Sequence, residues 1–453
     1  MTADTLPDPL RGLISRDELR EAVQRGTIRT VMTVVPDILG RLKGKRAAGL
    51  ALIERVDDGD GIRVGEACSY ILASNADMAP LEGFDLTSWH DGYHDMGINA
   101  DWPTLRVLPH MPHLALLHCD AVDTDGAPIE VAPRQILRRQ LERLRELGYE
   151  PKIGWESEFV LYSGDQPLVN RNSDYDLGFP PRLGDFIGHL EDALPDAGIE
   201  VEAFKAEGAP GQLEVTFPKS GVMEACDNFT VYKHAVKHLA RRHGLTASFM
   251  AAPVTGVTSG LHLNLSLWQD EQPQFAMPSP RAQPTQTMGH SIGGLIAAVP
   301  HLMPLFAANT NAYKRYAVPH SFAPQSTSWG LDNRGCAIRV AGHGTSSRLE
   351  IRIAGADANP YLVAAASLAA IAQGLDEKLA LPNPCLGDAY IDDTFAPLPR
   401  DLSEALKAFR YGHVARDLLG MQVVAHYGRA AQVEIDEQHR EVTDVERRRL
   451  TLA

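Results

Sequence analysis

The chain has 453 residues, with 43 Lys and Arg against 58 Asp and Glu, a formal net charge of −15. At 44% apolar and 22% charged residues it can bury a full core, which excludes a disordered segment. The acidic balance argues against a nucleic-acid binder, which gathers Lys and Arg on one face; the one basic run, Arg41 to Arg46, reads as a solvated hairpin or a small-anion contact.

Residues 1–20 read as an N-terminal arm. Asp4 and Asp8 stand where a signal peptide would carry positive charge, so export by that route is not expected. From Thr30 to Val35 the residues are β-branched or apolar, Pro36 to Gly40 supply turn chemistry, and a strand resumes at Arg41: a β-hairpin. Strand-like pieces recur at Ala51–Val56 and Leu114–His118, around an irregular Gly- and Asp-rich span from Asn75 to Asp101. Residues 21–120 are thus expected to form a small mixed domain, with a boundary near Asp120 to Ala127.

A helix starts at Pro133, carries Ile136, Leu137, Leu141 and Leu144 at helical spacing, and ends at Gly148. Beyond it, strands at Ile153–Tyr162, Gln212–Phe217, Leu261–Leu267, Cys336–Val340 and Arg348–Ile353 alternate with helices at Phe229–Arg242 and Tyr361–Lys378. Residues 128–453 therefore read as a larger α+β domain with an antiparallel sheet, in which Gln272 to Gln286 is a surface loop. The most apolar stretch, Tyr361–Leu375, falls short of the roughly 20 residues that cross a bilayer, so no membrane is expected. The five cysteines, with no Cys-x-x-Cys pair, fit a reducing cytoplasm.

Four polar elements interrupt the apolar pattern. Glu156 and Glu158 lie two apart in a strand and so share a face, where a desolvated pair needs a cation; a solvated strand face is the alternative. Glu207 and Glu214 flank a Gly/Pro loop that lets two carboxylates converge, as hard divalent cations require, or that forms an ordinary acidic turn. His262, Asn264 and Ser266 alternate with leucines, a polar row rather than a lone core histidine. Arg348, Glu350 and Arg352 alternate likewise; a surface ion-pair ladder or an anion site fits them, and Lys314, Arg315, Arg334 and Arg339 add further cations upstream.

In this order and at these separations the four elements resemble the glutamine synthetase superfamily, type I-like, from about Val34 to the C-terminus. Asn309-Thr310-Asn311-Ala312-Tyr313-Lys314-Arg315 and Gly355-Ala356-Asp357-Ala358-Asn359-Pro360-Tyr361 are similar to connecting segments of that family. The resemblance implies a β-grasp-like N-terminal domain and a catalytic domain with a curved antiparallel sheet flanked by helices, assembled as a homo-dodecamer of two hexameric rings. It implies ATP as co-substrate and two or more Mg²⁺ or Mn²⁺ ions per site. Glu158, Glu207 and Glu214 would hold one ion and Glu156, His262 and Glu350 the other. Glu158, Arg315 and Arg352 would bind the amino-acid substrate. Asn264, Ser266, Trp268, Arg334, Arg339 and Arg348 would face the nucleotide, with Arg334 and Glu350 in catalytic roles.

The match departs from ammonia-using members at a mobile flap, where Phe322 stands in Ser321-Phe322-Ala323-Pro324 in place of a glutamate that favours ammonium and takes its proton. This form, with Trp329 to Arg334, Gly40 to Arg46 and Cys68 to Leu72, is similar to the branch that makes γ-glutamyl amides from alkylamines, polyamines or ethanolamine. The expected reaction is therefore ATP-dependent joining of the glutamate γ-carboxylate to a small primary amine. A glutamine synthetase and a catalytically silent sensor or structural relative are the alternatives. Asp91 or Asp95, in a region that in the family lies across the subunit interface, would supply the missing base. Asn264 replaces a second histidine, and Val257-Thr258 replace Asn-Gly beside the substrate.

Overall fold

The structure, a computed structural model, describes residues 10–451. Asp4, Asp8 and the first half of the N-terminal arm lie outside them.

Thr30–Pro36 (β1) and Leu42–Ala48 (β2) form the expected hairpin. Its turn is organised by Asp37, whose buried carboxylate accepts from the Leu39 and Arg41 amides at 3.0 and 2.8 Å and from Arg41 Nε at 2.6 Å. Arg63–Cys68 (β3), Asp95–Ala100 (β4), Arg106–Val107 (β5) and Leu114–Val122 (β6) complete a six-stranded sheet. Its order is β2-β1-β6-β4-β3, with β5 on β6; β1 and β6 run parallel at the centre.

One expected strand is a helix. Residues Gly49–Asp58, which include Ala51–Val56, form a helix that packs on β1, β2 and β3. Leu52 and Val56, four apart, are buried while Glu54, Arg55 and Asp57 face out, a helical period that a short apolar run conceals. The irregular span likewise contains β4.

The second sheet has eleven strands. Glu150–Ser163 (β7), Gln166–Pro167 (β8), Ala203–Ala206 (β9), Gln212–Thr216 (β10), Ser220–Gly221 (β11), Thr246–Ser248 (β12) and Leu261–Gln269 (β13) come first in the chain. Gln272–Pro273 (β14), Trp329–Leu331 (β15), Ile338–Ala341 (β16) and Arg348–Ile351 (β17) follow. The main path is β15-β16-β17-β13-β7-β10-β9, antiparallel except for the β15/β16 pair. It curls into a half-barrel. Leu261, Leu263, Leu265 and Leu267 point from β13 into the core.

Helices back this sheet. Pro133–Glu146 and Pro360–Asp376 lie near their expected bounds, and the third begins earlier than expected, at Val222 rather than Phe229. Asn359 caps Pro360–Asp376, accepting from the Tyr361 amide, while its Nδ2 donates to the Asp37 and Ile38 carbonyls of the β1–β2 turn. Helices Pro181–Asp196, Gln286–Phe306, Leu402–Tyr411 and Met421–Arg440 were not expected. Gln286–Phe306 crosses Pro360–Asp376 so closely that a Cβ on Gly294 would sit 2.1 Å from the Ala370 carbonyl oxygen. Among the described residues no helix is long and apolar enough to cross a membrane, and all five cysteines are free thiols.

A buried guanidinium ties the two sheets together. Arg134, on the helix after β6, binds Asp101, Asp120 at 3.1 Å and Asp227 at 3.0 Å. Tyr361 Oη donates to Asp227 at 2.6 Å.

Burial pushes His110, His234 and His426 down to about 4. His426 Nε2 is held at 2.8 Å by the Leu72 carbonyl, to which it donates as a neutral ring. Between pH 6.5 and 4 the unfolded chain takes up protons that these folded histidines refuse, so stability falls as pH falls through that window. The slope is about 1.4 kcal/mol per pH unit for each group. Urea unfolding at pH 7 and pH 5 should show the loss, and His426→Gln should reduce it; an equal slope in the variant would remove His426 from this account.

Candidate active site

The register of the second sheet arranges side chains on its concave face in rows. Lys205 lies opposite Glu214, and Glu214 opposite Glu158. In the next row Thr216 faces Glu156 and Glu156 faces His262. In the third Asn264 faces Glu350 and Glu350 faces Arg339. Alternation sends the leucines of β13 to the other side, so each polar element of the sequence contributes one stripe to a single surface.

Glu207 joins the first row from the loop between β9 and β10. Its amide donates to the Gln212 carbonyl at 2.9 Å, which closes the loop. Gly211 has a left-handed φ of +71°, and a Cβ there would meet the Leu161 carbonyl oxygen at 2.9 Å. Glu158 is fixed by the Gly260 amide at 2.7 Å and by Gln212 Nε2 at 3.1 Å. Gln212 Nε2 also donates to the Thr258 carbonyl at 2.8 Å.

Two sets of donors converge, Glu158 with Glu207 and Glu214, and Glu156 with Glu214 and His262; within each set the donor atoms lie within 4.8 Å of one another. The first set is the one expected. The second differs: Glu214 reaches it, whereas Glu350 is fully buried between Arg339 Nη1, at 2.5 Å, and Arg352, with His262 Nδ1 at 3.8 Å. β17 places Glu350 across from Asn264, on the same face as His262, and its carboxylate is bonded to both arginines.

Electrostatics show how crowded the carboxylates are. Burial, then repulsion from Glu158, Glu156 and Glu207, pushes Glu214 up to about 8. Burial also pushes Glu158 up. Burial opposes ionisation of Glu156, yet its hydrogen bond with His262, at 3.3 Å, and that of Asn264 Nδ2, at 2.9 Å, hold it down at about 2. Like charges packed this tightly fit divalent cations, and a donor set of carboxylates with one imidazole suits Mg²⁺ or Mn²⁺ better than zinc.

Across the cavity stand the arginines. Buried Arg315 donates from Nη1 to the Ile353 carbonyl at 2.9 Å, while its buried Nε has no partner. Arg352 Nε donates to the Arg334 carbonyl at 3.2 Å and Nη2 to the Phe322 carbonyl at 3.3 Å. Arg348 Nε donates to Asn264 Oδ1 at 2.8 Å, and Arg339 Nε to Asp332 at 2.9 Å. All five arginines, Glu156, Glu158, Glu207, Glu214 and His262 line one cavity of about 630 Å³.

Phe322 also lines it, 62% exposed and with a left-handed φ of 59°. Its loop is pinned by Tyr390 Oη, which donates to the Ala323 carbonyl at 3.1 Å, and by Gln325 Nε2, which donates to the Tyr316 carbonyl at 2.8 Å.

Other expected residues do not line this cavity. Trp268 Nε1 donates to Ser266 Oγ at 2.9 Å farther along β13, with Lys152 and Lys219 Nζ 4.7 and 4.5 Å from its ring. Asp91 accepts from Ser88 Oγ at 2.8 Å, and Asp95 opens β4 opposite Cys68. Conversely, sequence reasoning passed over Lys205, Gln212, Asp174 and Tyr175, all of which line the cavity. Gln212 stands two residues before Glu214 on β10, so the same alternation would have found it; Lys205, beside the loop that carries Glu207, and the loop residues Asp174 and Tyr175 have no such signal.

A cavity that gathers carboxylate donors and five arginines suits the transfer of a phosphoryl group between anions. Residues 130–450 match the catalytic domain of glutamine synthetase. The chain belongs to the glutamine synthetase family, ATP-dependent ligases that form carbon–nitrogen bonds. It is 39% identical over 446 residues to the γ-glutamylethanolamide synthetase GlnA4 of Streptomyces coelicolor, covering 96% of this chain and 95% of that one. It is 30% identical over 442 residues to a glutamate–isopropylamine ligase of a Pseudomonas species, covering 93% and 95%. The solved GmaS/ADP complex superposes with a TM-score of 0.83 at 26% identity, covering 96% of this chain and 99% of that chain.

Proposed function

We propose that the protein joins the γ-carboxylate of glutamate to a small primary amine through γ-glutamyl phosphate, giving a γ-glutamyl amide, ADP and phosphate. The observation that carries this reading is Phe322. An apolar side chain, on a residue whose backbone carbonyl accepts from Arg352 Nη2, stands in the loop where an ammonia-using enzyme would carry an acid. Phenylalanine can neither favour ammonium nor take its proton, but it can shelter the carbon chain of an amine. The two relatives named for ethanolamide and isopropylamine products support the same reading.

Bound Mg²⁺ or Mn²⁺ ions, held by Glu158, Glu207 and Glu214 and by Glu156, Glu214 and His262, would neutralise the charge of the ATP phosphates. Arg315, whose Nε is unpartnered, and Arg352 orient the glutamate carboxylates. Arg334, Arg339 and Arg348 face the phosphoryl group as it passes from ATP to the γ-carboxylate, offsetting repulsion between the two anions. Asn264, Ser266 and Trp268, beyond His262 on β13, would face the nucleotide outside this cavity. Glu350 holds Arg339 and Arg352 at the positions this transfer needs.

The amine then attacks the acyl phosphate and phosphate leaves. An amine of pKa about 10 must lose a proton to attack. In a dodecamer of two rings with sites formed between neighbours, Asp91 or Asp95 of an adjacent copy accepts it. Phosphate release from ATP and glutamate with a panel of amines and with ammonia tests the reading; ammonia as the much better acceptor by kcat/KM would overturn it. Phe322→Glu should raise the ammonia-to-ethanolamine ratio of kcat/KM by about tenfold or more, through a charge that attracts ammonium and can take its proton. An unchanged ratio would remove Phe322 as the determinant.

A further inference from the structure

His320 and Phe322 both adopt left-handed φ values, 53° and 59°, in the loop that follows Arg315 and Tyr316. A residue with a Cβ is strained there and keeps such a conformation only where its surroundings over-determine it. Here a second stretch of chain, 385–398, supplies those surroundings. It is tied at both ends to residues 325–329: the Cys385 amide donates to the Trp329 carbonyl at 2.8 Å, the Thr327 amide to the Ala396 carbonyl at 2.9 Å and the Leu398 amide to the Gln325 carbonyl at 2.9 Å.

Between those ties Asp388 and Tyr390 reach the Phe322 loop. Asp388 Oδ2 lies 3.1 Å from His320 Nε2, the Tyr390 and His320 rings lie with centroids 4.8 Å apart, and Tyr390 Oη donates to the Ala323 carbonyl at 3.1 Å. Asp388 Oδ1 also accepts from the Tyr390 amide at 2.9 Å, which makes one unit of the two side chains. Phe322 is thus held through the residues on either side of it, while Arg352 grips its carbonyl. Ser321 and Phe322 line the cavity and Asp388 and Tyr390 do not, so any effect of the latter pair on the reaction runs through the loop.

The acyl phosphate gives that placement a consequence. Its carbonyl carbon can be attacked by nitrogen or by oxygen: the new bond forms, the bond from that carbon to the phosphate oxygen breaks, phosphate leaves with the electron pair, and the nucleophile gives up a proton. With an amine the product is the amide; with water it is glutamate, and ATP is hydrolysed without a carbon–nitrogen bond being made. An apolar side chain on the cavity wall disfavours water only while it stays in place.

We propose that Asp388 and Tyr390 are positioning residues for the acceptor step: by clamping His320 and Ala323 they hold Phe322 against the cavity, so that the amine rather than water meets the acyl phosphate. This rests on the amine-ligase reading above and extends it to residues outside the cavity.

The test measures amide formed per phosphate released, and the KM of each substrate, in the wild type, Tyr390→Phe and Asp388→Ala, with the amine that the wild type uses best. The wild type should form amide and phosphate in equal amounts. Tyr390→Phe keeps the ring and loses the hydrogen bond to Ala323. Its phosphate release from ATP and glutamate without amine should rise by about fivefold, the worth of one ordinary hydrogen bond, and KM for the amine should rise by about as much, while KM for glutamate and for ATP stays within about twofold. Asp388→Ala should move the same quantities in the same direction, and it decides should Tyr390→Phe fail to fold. A purely structural role would lower kcat and leave the amide-to-phosphate ratio alone. An amide-to-phosphate ratio and an amine KM within about twofold of wild type in both variants overturn the proposal. Ammonia as the much better acceptor of the wild type would defeat the amine-ligase reading and this inference with it; amine turnover by the wild type with an unmoved ratio in the variants would defeat this inference alone.

Discussion

Glu158→Ala is expected to lower amine-dependent phosphate release by about a thousandfold while leaving the fold intact. Glu158 is held by the Gly260 amide and Gln212 and points at Glu207 and Glu214, so its carboxylate is central to the first donor set. Its removal relieves like-charge crowding in a protein free of metal, and the variant should melt no lower than wild type in chelator. Mn²⁺ should raise the Tm of the wild type more than that of the variant. Activity within about tenfold of wild type would take Glu158 out of the cation site.

The largest effect on stability is expected at Arg134. The guanidinium is 2% exposed and bonded to Asp101, Asp120 and Asp227, and removing it leaves the fully buried Asp227 without its cation. Arg134→Met should cost about 3 to 5 kcal/mol, the usual penalty for stranding a buried charge. Because Asp101 and Asp120 come from the first sheet's part of the chain and Asp227 from a helix behind the second, the loss should also loosen the junction. Urea unfolding measures the cost, and amide exchange in β6 and in Val222–Arg242 should rise together. A destabilisation under about 1 kcal/mol would mean that the carboxylates find other partners.

The site was more legible in the sequence than the fold around it. Period-two alternation is local, so Glu156 with Glu158, His262 with Asn264, and Arg348 with Glu350 and Arg352 could be placed on shared faces from the sequence alone. What alternation cannot supply is register between strands. The pairing of Glu350 with Asn264, and with it the contacts of Glu350 to Arg339 and Arg352 as well as its approach to His262, depends on how β17 meets β13. Asp174 and Tyr175 reach the cavity through a loop tied to β9 by the Tyr175 amide on the Ala206 carbonyl and by the contacts of both side chains with Lys205, which no period announces.

Among the helices, Gln286–Phe306 escaped notice because Gly289, Gly293, Gly294, Pro300 and Pro304 read as breakers, although Gly294, against Ala370 and Gly374, is what allows its close crossing with Pro360–Asp376. Gly49–Asp58 was misread because five apolar or small residues in a row suit either period until the buried face is known.

Glu156, Glu158, Glu214, His262, Arg339 and Arg348 sit on paired strands, whereas Phe322, Asp174 and Tyr175 sit on two separate loops. On the proposed reading, editing the loop that carries Phe322 would exchange the nucleophile while leaving the carboxylates of β7 and β10 in place. An inhibitor that reaches both loops would discriminate between relatives, and one that mimics the phosphoryl group alone would not.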